Sequence, residues 1–291
     1  MRQFLSLLAL MCFFSVSSAQ DNPEIRLLVR ADDMGMFASA NQACIDTALN
    51  GIVRSIEVMV PCAWFSEAVK LLNENPAIDV GVHLTLTSEW TNPKWRPLTF
   101  APSLTDEYGY FFQYIWPNRN EPGRSIQEAQ WKLSEIEAEF RAQIEMAMRR
   151  IPHVSHITAH MGSANWNAEV AAMTRRLADE YGLYWGNPQT KPFPQMNATN
   201  RDSAEKRIVA FIEALDQLEP GHAYVFVEHP AYNTPEMQTV GHLGYENVGE
   251  DRDAVTKIFT DRRVIDFIEK KGIRLIGYRD VIEEKRGQAS R

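Results

Sequence analysis

Cysteine is scarce in this chain of 291 residues: there are three, and one of them, Cys12, lies in an apolar leader, which leaves Cys44 and Cys62. Two cysteines make no disulfide framework, and they are too few for a thiolate metal site. Cys44 sits in a helical pattern and Cys62 follows a strand, positions where buried thiols are expected. A block of lysine and arginine is also missing, and 38 acidic against 30 basic residues give a net charge of −8. A nucleic-acid partner is therefore disfavoured, because phosphate binding needs a basic stripe. The sequence has no internal repeat and no linker setting off a second hydrophobic unit. One domain over residues 20–291 is expected, long enough to bury a large core without a disulfide or metal staple.

The first nineteen residues are set apart from that domain. Arg2 gives a positive start, Phe4 to Val16 is an apolar run, and Ser17-Ser18-Ala19 puts small residues where a signal peptidase cuts. This is the pattern of a secretory signal peptide, too short an apolar run to span a bilayer. It implies export to the periplasm or beyond, with no stable membrane insertion once the leader is removed.

From Ile25 onward, short apolar runs alternate with helical patterns. Strands are predicted from Ile25 to Val29, from Ser55 to Val60 and from Ile78 to Leu86, with helices over Asn41–Asn50 and Trp64–Asn73 between them. A long helix is predicted over Ser125–Arg150. A strand carrying His156 and His160 near its end follows, then a helix over Asn167–Tyr181, a strand near Leu183 and a helix over Ala204–Leu218. The strand Ala223–Val227, the helix Asp261–Lys271 and the strand Ile273–Ile276 complete the pattern. Strand–helix alternation implies an α/β fold with a parallel sheet and crossover helices. Residues 87–124 interrupt the rhythm with five prolines and several aromatics. A connection of that length inside a compact domain is usually functional. Trp90 and Trp95 are its candidate platforms for sugar rings, with Trp116 nearby.

In parallel α/β folds the active site lies at the C-terminal ends of the strands. Asp32 and Asp33, His83, His156 and His160, and His229 all fall at or just past predicted strand ends, so four strands deliver carboxylates or imidazoles to one rim. Two imidazoles and one carboxylate suit a hydrolytic metal site, which keeps positions open for water and substrate.

These stretches resemble the YdjC-type carbohydrate deacetylases, a family that includes chitooligosaccharide deacetylases. The resemblance rests on Val29-Arg30-Ala31-Asp32-Asp33-Met34-Gly35, Asn50-Gly51-Ile52-Val53-Arg54-Ser55, Val80-Gly81-Val82-His83-Leu84-Thr85-Leu86-Thr87 and His156-Ile157-Thr158-Ala159-His160. Glu228-His229-Pro230-Ala231 and Gly277-Tyr278-Arg279-Asp280-Val281 follow in family order. The resemblance implies a distorted, incomplete (β/α) barrel with mainly parallel strands. It also implies one divalent ion on Asp33, His83 and His160, with Asp32 as general base and His229 as general acid. Trp90, Trp95, His156 and Arg279 are expected to contact substrate. The implied reaction is hydrolysis of N-acetyl groups on an amino-sugar oligosaccharide, releasing acetate. Two other readings remain open at this level: an O-acetyl esterase on the same scaffold, and an exported carbohydrate-binding protein with weak catalysis. Zn is the first expectation for the ion, and Mg, Ni, Co, Mn and Fe stay open, as does homo-oligomer formation. The chain departs from the family at two places, where an acidic residue and a histidine are usual and Thr158 and Gly162 stand instead.

Overall fold

Ile25 to Met34 form β1, whose residues are buried along nearly the whole strand. Burial on both faces is what a mostly apolar run implies in a parallel sheet covered by helices. The computed structural model describes residues 23–186 and 188–289; the expected signal peptide lies outside the described residues. After β1 come α1 (Ala38–Leu49), β2 (Ser55–Val58), α2 (Phe65–Glu74) and β3 (Asp79–Leu84). A long irregular connection leads to α3 (Leu133–Arg150), β4 (Val154–Ala159), α4 (Ala168–Tyr181) and the two-residue β5 (Lys191–Pro192). The chain continues through α5 (Ala204–Asp216), β6 (Ala223–Glu228), α6 (Val248–Thr260), α7 (Arg262–Lys271), β7 (Ile273–Ile276) and α8 (Tyr278–Ala289).

The sheet order is β4-β3-β2-β1-β6-β5, with β7 also paired to β1. Every pairing between these strands is parallel. Tyr184 adds a single parallel bridge to His156 beyond β4, where the sequence predicts a strand near Leu183. Among the described residues no pairing joins β4 to β5, so this α/β sheet is an unclosed barrel. β1, β2, β3, β4 and β6 therefore end at one rim, where Asp32, Asp33, His83, His160 and His229 stand.

Several elements differ from the sequence-based expectation, the unpredicted two-residue β5 among them. The helix predicted from Ser125 begins at Leu133. Ser125 and Glu128 form a capping box around a single 3-10 turn, and Ala129 and Lys132 are extended. Trp131 then packs edge-on against Trp166, with ring centroids 4.7 Å apart. The helices α6 and α8 were not predicted, and both reach the rim or its floor. No helix among the described residues is long and apolar enough to cross a membrane. Cys44 and Cys62 are free and buried, and burial pushes both thiols well up from their ordinary range.

Candidate metal centre

The polar cluster at the rim begins with a bulge. Between the register pairs Ala31–Ile56 and Met34–Val58, two residues of β1, Asp32 and Asp33, stand opposite Glu57 alone. Neighbours in a regular strand point to opposite faces, so adjacent aspartates would not share a centre. The extra residue and the left-handed backbone of Asp33 (φ 69°) break that alternation. Such a conformation strains a residue other than glycine and persists only where its surroundings hold it. Both carboxylates thereby approach His83 Nε2 on β3, Asp32 Oδ2 at 3.6 Å and Asp33 Oδ1 at 3.5 Å.

His160 follows the last residue of β4 and places Nδ1 3.1 Å from the same Asp33 Oδ1. The two imidazoles meet edge to face, with centroids 5.4 Å apart. One ligand atom from each of Asp33, His83 and His160 lies within 4.8 Å of the others. All three side chains are buried.

Asp33 Oδ1 is buried and receives no hydrogen bond. A carboxylate oxygen can only accept, so withdrawing it from water without a well-aligned donor is costly, and a cation would be a better partner for it than the edge of either imidazole. Ligands of a tetrahedral zinc site at about 2.0–2.1 Å stand roughly 3.3 Å from each other, and the separations of 3.1 and 3.5 Å bracket that spacing. The donor set thus fits a divalent ion on an observation independent of any family resemblance.

The remaining polar atoms of the three residues are engaged elsewhere. Arg252 Nη2, from α6, donates to Asp33 Oδ2 at 2.8 Å. His160 Nε2 lies 3.1 Å from Glu89 Oε2, and His83 Nδ1 lies 2.8 Å from Thr158 Oγ1. Partners of this kind set which atom of a ligand faces an ion. Asp32 is held by Arg30, whose Nε and Nη2 donate to its two oxygens at 2.7 Å each. Arg30 in turn donates to Tyr278 on α8 at 3.1 Å.

Electrostatics divides the two histidines. Burial pushes His83 down to about 4, against the pull of Asp32, so its ring is neutral at pH 7. Burial works the same way on His160, but Glu89 and Asp33 outweigh it and raise that ring to about 10. In the ion-free site His160 therefore carries a proton between two carboxylates. Burial would lift Asp33, yet the charges of His229, His160 and Arg252 hold its carboxyl well below the usual carboxylate range.

His229 follows β6 and places Nε2 4.0 Å from Asp33 Oδ2. Its side chain is 39% exposed, so it is the member of the group that meets solvent. Withdrawal from bulk water works against its charge, and Asp33 and Glu228 overcome that and raise its pKa.

Four residues expected to touch substrate stand elsewhere. Trp90 and Trp95 are 2% and 6% exposed. Trp95 donates its indole N–H to Thr87 O at 2.7 Å, and Trp90 packs against His242 and lies under the Arg252 guanidinium. With their rings largely covered, they pin the connection to the core, and Trp95 also lines a cavity with Met36, Phe37 and Trp64. The exposed tryptophan of this segment is Trp116, at 49%. It lies over Gly162, where a Cβ would come within 2.6 Å of its ring. His156 is fully buried and stacks on Tyr278, with centroids 3.9 Å apart. Arg279 donates to the carbonyls of Pro76, Ile78 and His153, residues that enter β3 and β4 at the end of the sheet away from the rim.

Sequence reasoning missed Arg30, Glu57, Glu89 and Arg252. Arg30 and Glu57 carried a usable signal. Arg30 lies two residues before Asp32, and Ser55 and Glu57 alternate with apolar neighbours in β2, the spacing that puts side chains on one face. Glu89 lies in an aperiodic segment, and Arg252 on an unpredicted helix.

Comparisons with known proteins bear on the family and the fold. A family described as YdjC-like protein matches residues 26–270. A carbohydrate deacetylase of Thermus thermophilus is 32% identical over 235 residues, covering 72% of this chain and 79% of that protein. A chitooligosaccharide deacetylase of Yersinia enterocolitica is 26% identical over 264 residues, covering 87% and 98%. A crystal structure of an Enterococcus faecalis V583 protein named for cellobiose-phosphate cleavage superposes with a TM-score of 0.69 at 24% identity, over 89% of this chain and 99% of that one. At that identity the superposition speaks for the fold.

Proposed function

The chain belongs to the YdjC-like family, and from that premise we propose that it is a metal-dependent hydrolase that removes N-acetyl groups from an amino-sugar oligosaccharide. The observation that carries this reading is the buried Asp33 Oδ1, without an aligned hydrogen bond, between two imidazole nitrogens, with the Asp32 carboxylate alongside. The names of the relatives supply the substrate class, an acetylated carbohydrate. Export of the chain, implied by its leader, belongs to the same reading.

Asp33, His83 and His160 would hold the ion. When bound, a divalent cation supplies Lewis acidity to the attacking water and to the acetyl carbonyl. Asp32 accepts the proton of the attacking water. Arg30 orients it by a two-pronged ion pair and occupies one acceptor position on each oxygen, leaving a second on each for that proton. His229, solvent-facing and with a raised pKa, donates to the departing amine, which leaves poorly as an anion. Glu228, 3.7 Å from His229 Nδ1, helps keep that proton in place. Trp116 is the platform we assign to a sugar ring, because it is exposed and packs two residues from His160.

The test is acetate release from N-acetylated chitooligosaccharides, with O-acetylated sugars in parallel and with chelator as control. The reading expects amide cleavage that chelator abolishes and Zn(II) restores. Cleavage of esters alone would replace the substrate class, and amide cleavage insensitive to thorough chelation would remove the metal from the mechanism.

A further inference from the structure

A buried chain of polar side chains runs behind the centre. Glu57, on β2, is fully buried. Its Oε1 accepts from Ser55 Oγ at 2.8 Å and faces His156 Nε2 at 2.8 Å. Its Oε2 accepts from Thr158 Oγ1 at 2.9 Å, and that same hydroxyl oxygen lies 2.8 Å from His83 Nδ1. The arrangement leaves no space at the adjoining position of β3. A Cβ on Gly81 would stand 1.9 Å from Glu57 Oε2 and 2.4 Å from His156 Nε2. The glycine of Val80-Gly81-Val82-His83 is thus required by the approach of two side chains.

Hydrogen counting along this chain has one solution. A threonine hydroxyl has a single hydrogen, and a carboxylate can only accept. The contact at 2.9 Å therefore commits the Thr158 hydrogen to Glu57, since two oxygens that both accept would repel at that distance. Oγ1 is then left to accept from His83, which puts the imidazole proton on Nδ1. The bare nitrogen is Nε2, the atom that faces Asp32 and Asp33.

We propose that Glu57 and Thr158 are positioning residues that fix the Nδ1–H tautomer of His83 and so present its Nε2 as a metal ligand. This rests on reading Asp33, His83 and His160 as a cation centre. The carboxylate behind the threonine hydroxyl is that of Glu57, which reaches it from β2 across β3. Loss of an outer partner of a ligating histidine typically weakens metal binding by about 10–100-fold.

Two readouts test the proposal without recourse to turnover. In the ion-free protein, long-range 15N–1H spectra of the His83 ring report which nitrogen is protonated. Zn(II) affinity, measured by competition with a chromophoric chelator, is compared among the wild-type chain, Thr158→Val and Thr158→Ser. The expected results are Nδ1–H in the wild type, Zn(II) binding weakened by about 10–100-fold in Thr158→Val, and near-wild-type affinity in Thr158→Ser. Protonation on Nε2 in the wild type, or unchanged Zn(II) affinity in Thr158→Val, would overturn it. Should Thr158→Val fail to fold, the wild-type tautomer decides alone. A wild-type chain that binds no Zn(II) would defeat the cation reading itself, while the tautomer, read without metal, still decides this one.

Discussion

Asp32 and Asp33 are neighbours with opposite assignments, and the backbone separates them. The bulge at the end of β1 turns Asp33 Oδ1 toward two imidazoles and leaves Asp32 under the grip of Arg30. Substitution at each should therefore fail differently. Asp33→Ala removes a ligand and should lose bound Zn(II). Asp32→Asn should keep the ion at wild-type stoichiometry and lower kcat by about 10²–10⁴-fold, the usual contribution of a general base. Metal analysis and acetate release on the same samples check this, and near-normal turnover in Asp32→Asn would remove it as the base. At this scale the sequence was partly legible. Chemistry-bearing residues at strand ends could be read from apolar runs followed by aspartate or histidine. The tryptophans could not, because a ring at 2% exposure and one at 49% look alike in an aperiodic segment. His156 misled for a related reason: it stands in the same strand as the site but faces the interior network around Glu57.

Elements were legible where apolar periodicity and stop signals agreed. The helix α7 was predicted to within a residue, with Asp261 capping its start and Gly272 in the left-handed conformation at its end. The helix α6 was not, because its buried face carries Asp251, Arg252 and Thr256 among Val248, Val255, Ile258 and Phe259. Charged residues at inward positions erase the apolar stripe on which helix reading depends. Those charges are also why the element matters, since Arg252 ties α6 to Asp33 and its own side chain is only 5% exposed. Arg252→Met would leave the Asp33 carboxylate buried without its partner, a loss of about 3–5 kcal/mol for a pair of this kind. Urea unfolding of the ion-free protein should show that loss, and Zn(II) should restore part of it by taking over the charge on Asp33. A shift below about 1 kcal/mol, the range of an exposed pair, would mean that Arg252 does not anchor the helix. Among the described side chains of α8, only Tyr278 and Val281 are markedly buried, too few to reveal a helix from periodicity alone.

At the scale of the molecule, buried titrating groups should shape stability. Burial would raise the Glu57 carboxyl, but His156, Arg30 and His83 hold it at about 2 against an ordinary 4.5. A depressed carboxyl contributes stability above its unfolded value, and that contribution is lost as pH falls from 4.5 toward 2. His160 has the opposite sign. Raised to about 10 from 6.5, it contributes fully below 6.5 and loses that contribution as pH rises toward 10. The ion-free protein should therefore be most stable between about pH 4.5 and 6.5 as far as these two groups decide it. Zn(II), which displaces the His160 proton, should flatten the alkaline side. Thermal unfolding across pH with and without Zn(II) checks both limbs, and an alkaline limb that Zn(II) leaves unchanged would argue against His160 as a ligand. The unclosed parallel sheet was legible as strand–helix alternation, whereas the bulge that joins two adjacent aspartates at one centre leaves no mark in composition or period.

The measurement that bears most directly on the central claim is zinc K-edge X-ray absorption on the protein loaded with Zn(II). One ion per chain is predicted, with nitrogen and oxygen ligands at about 2.0–2.1 Å, scattering from two imidazoles, and no sulfur. A sulfur shell at about 2.3 Å, which would bring in Cys44 or Cys62, or a zinc ion with fewer than two imidazoles, would contradict it.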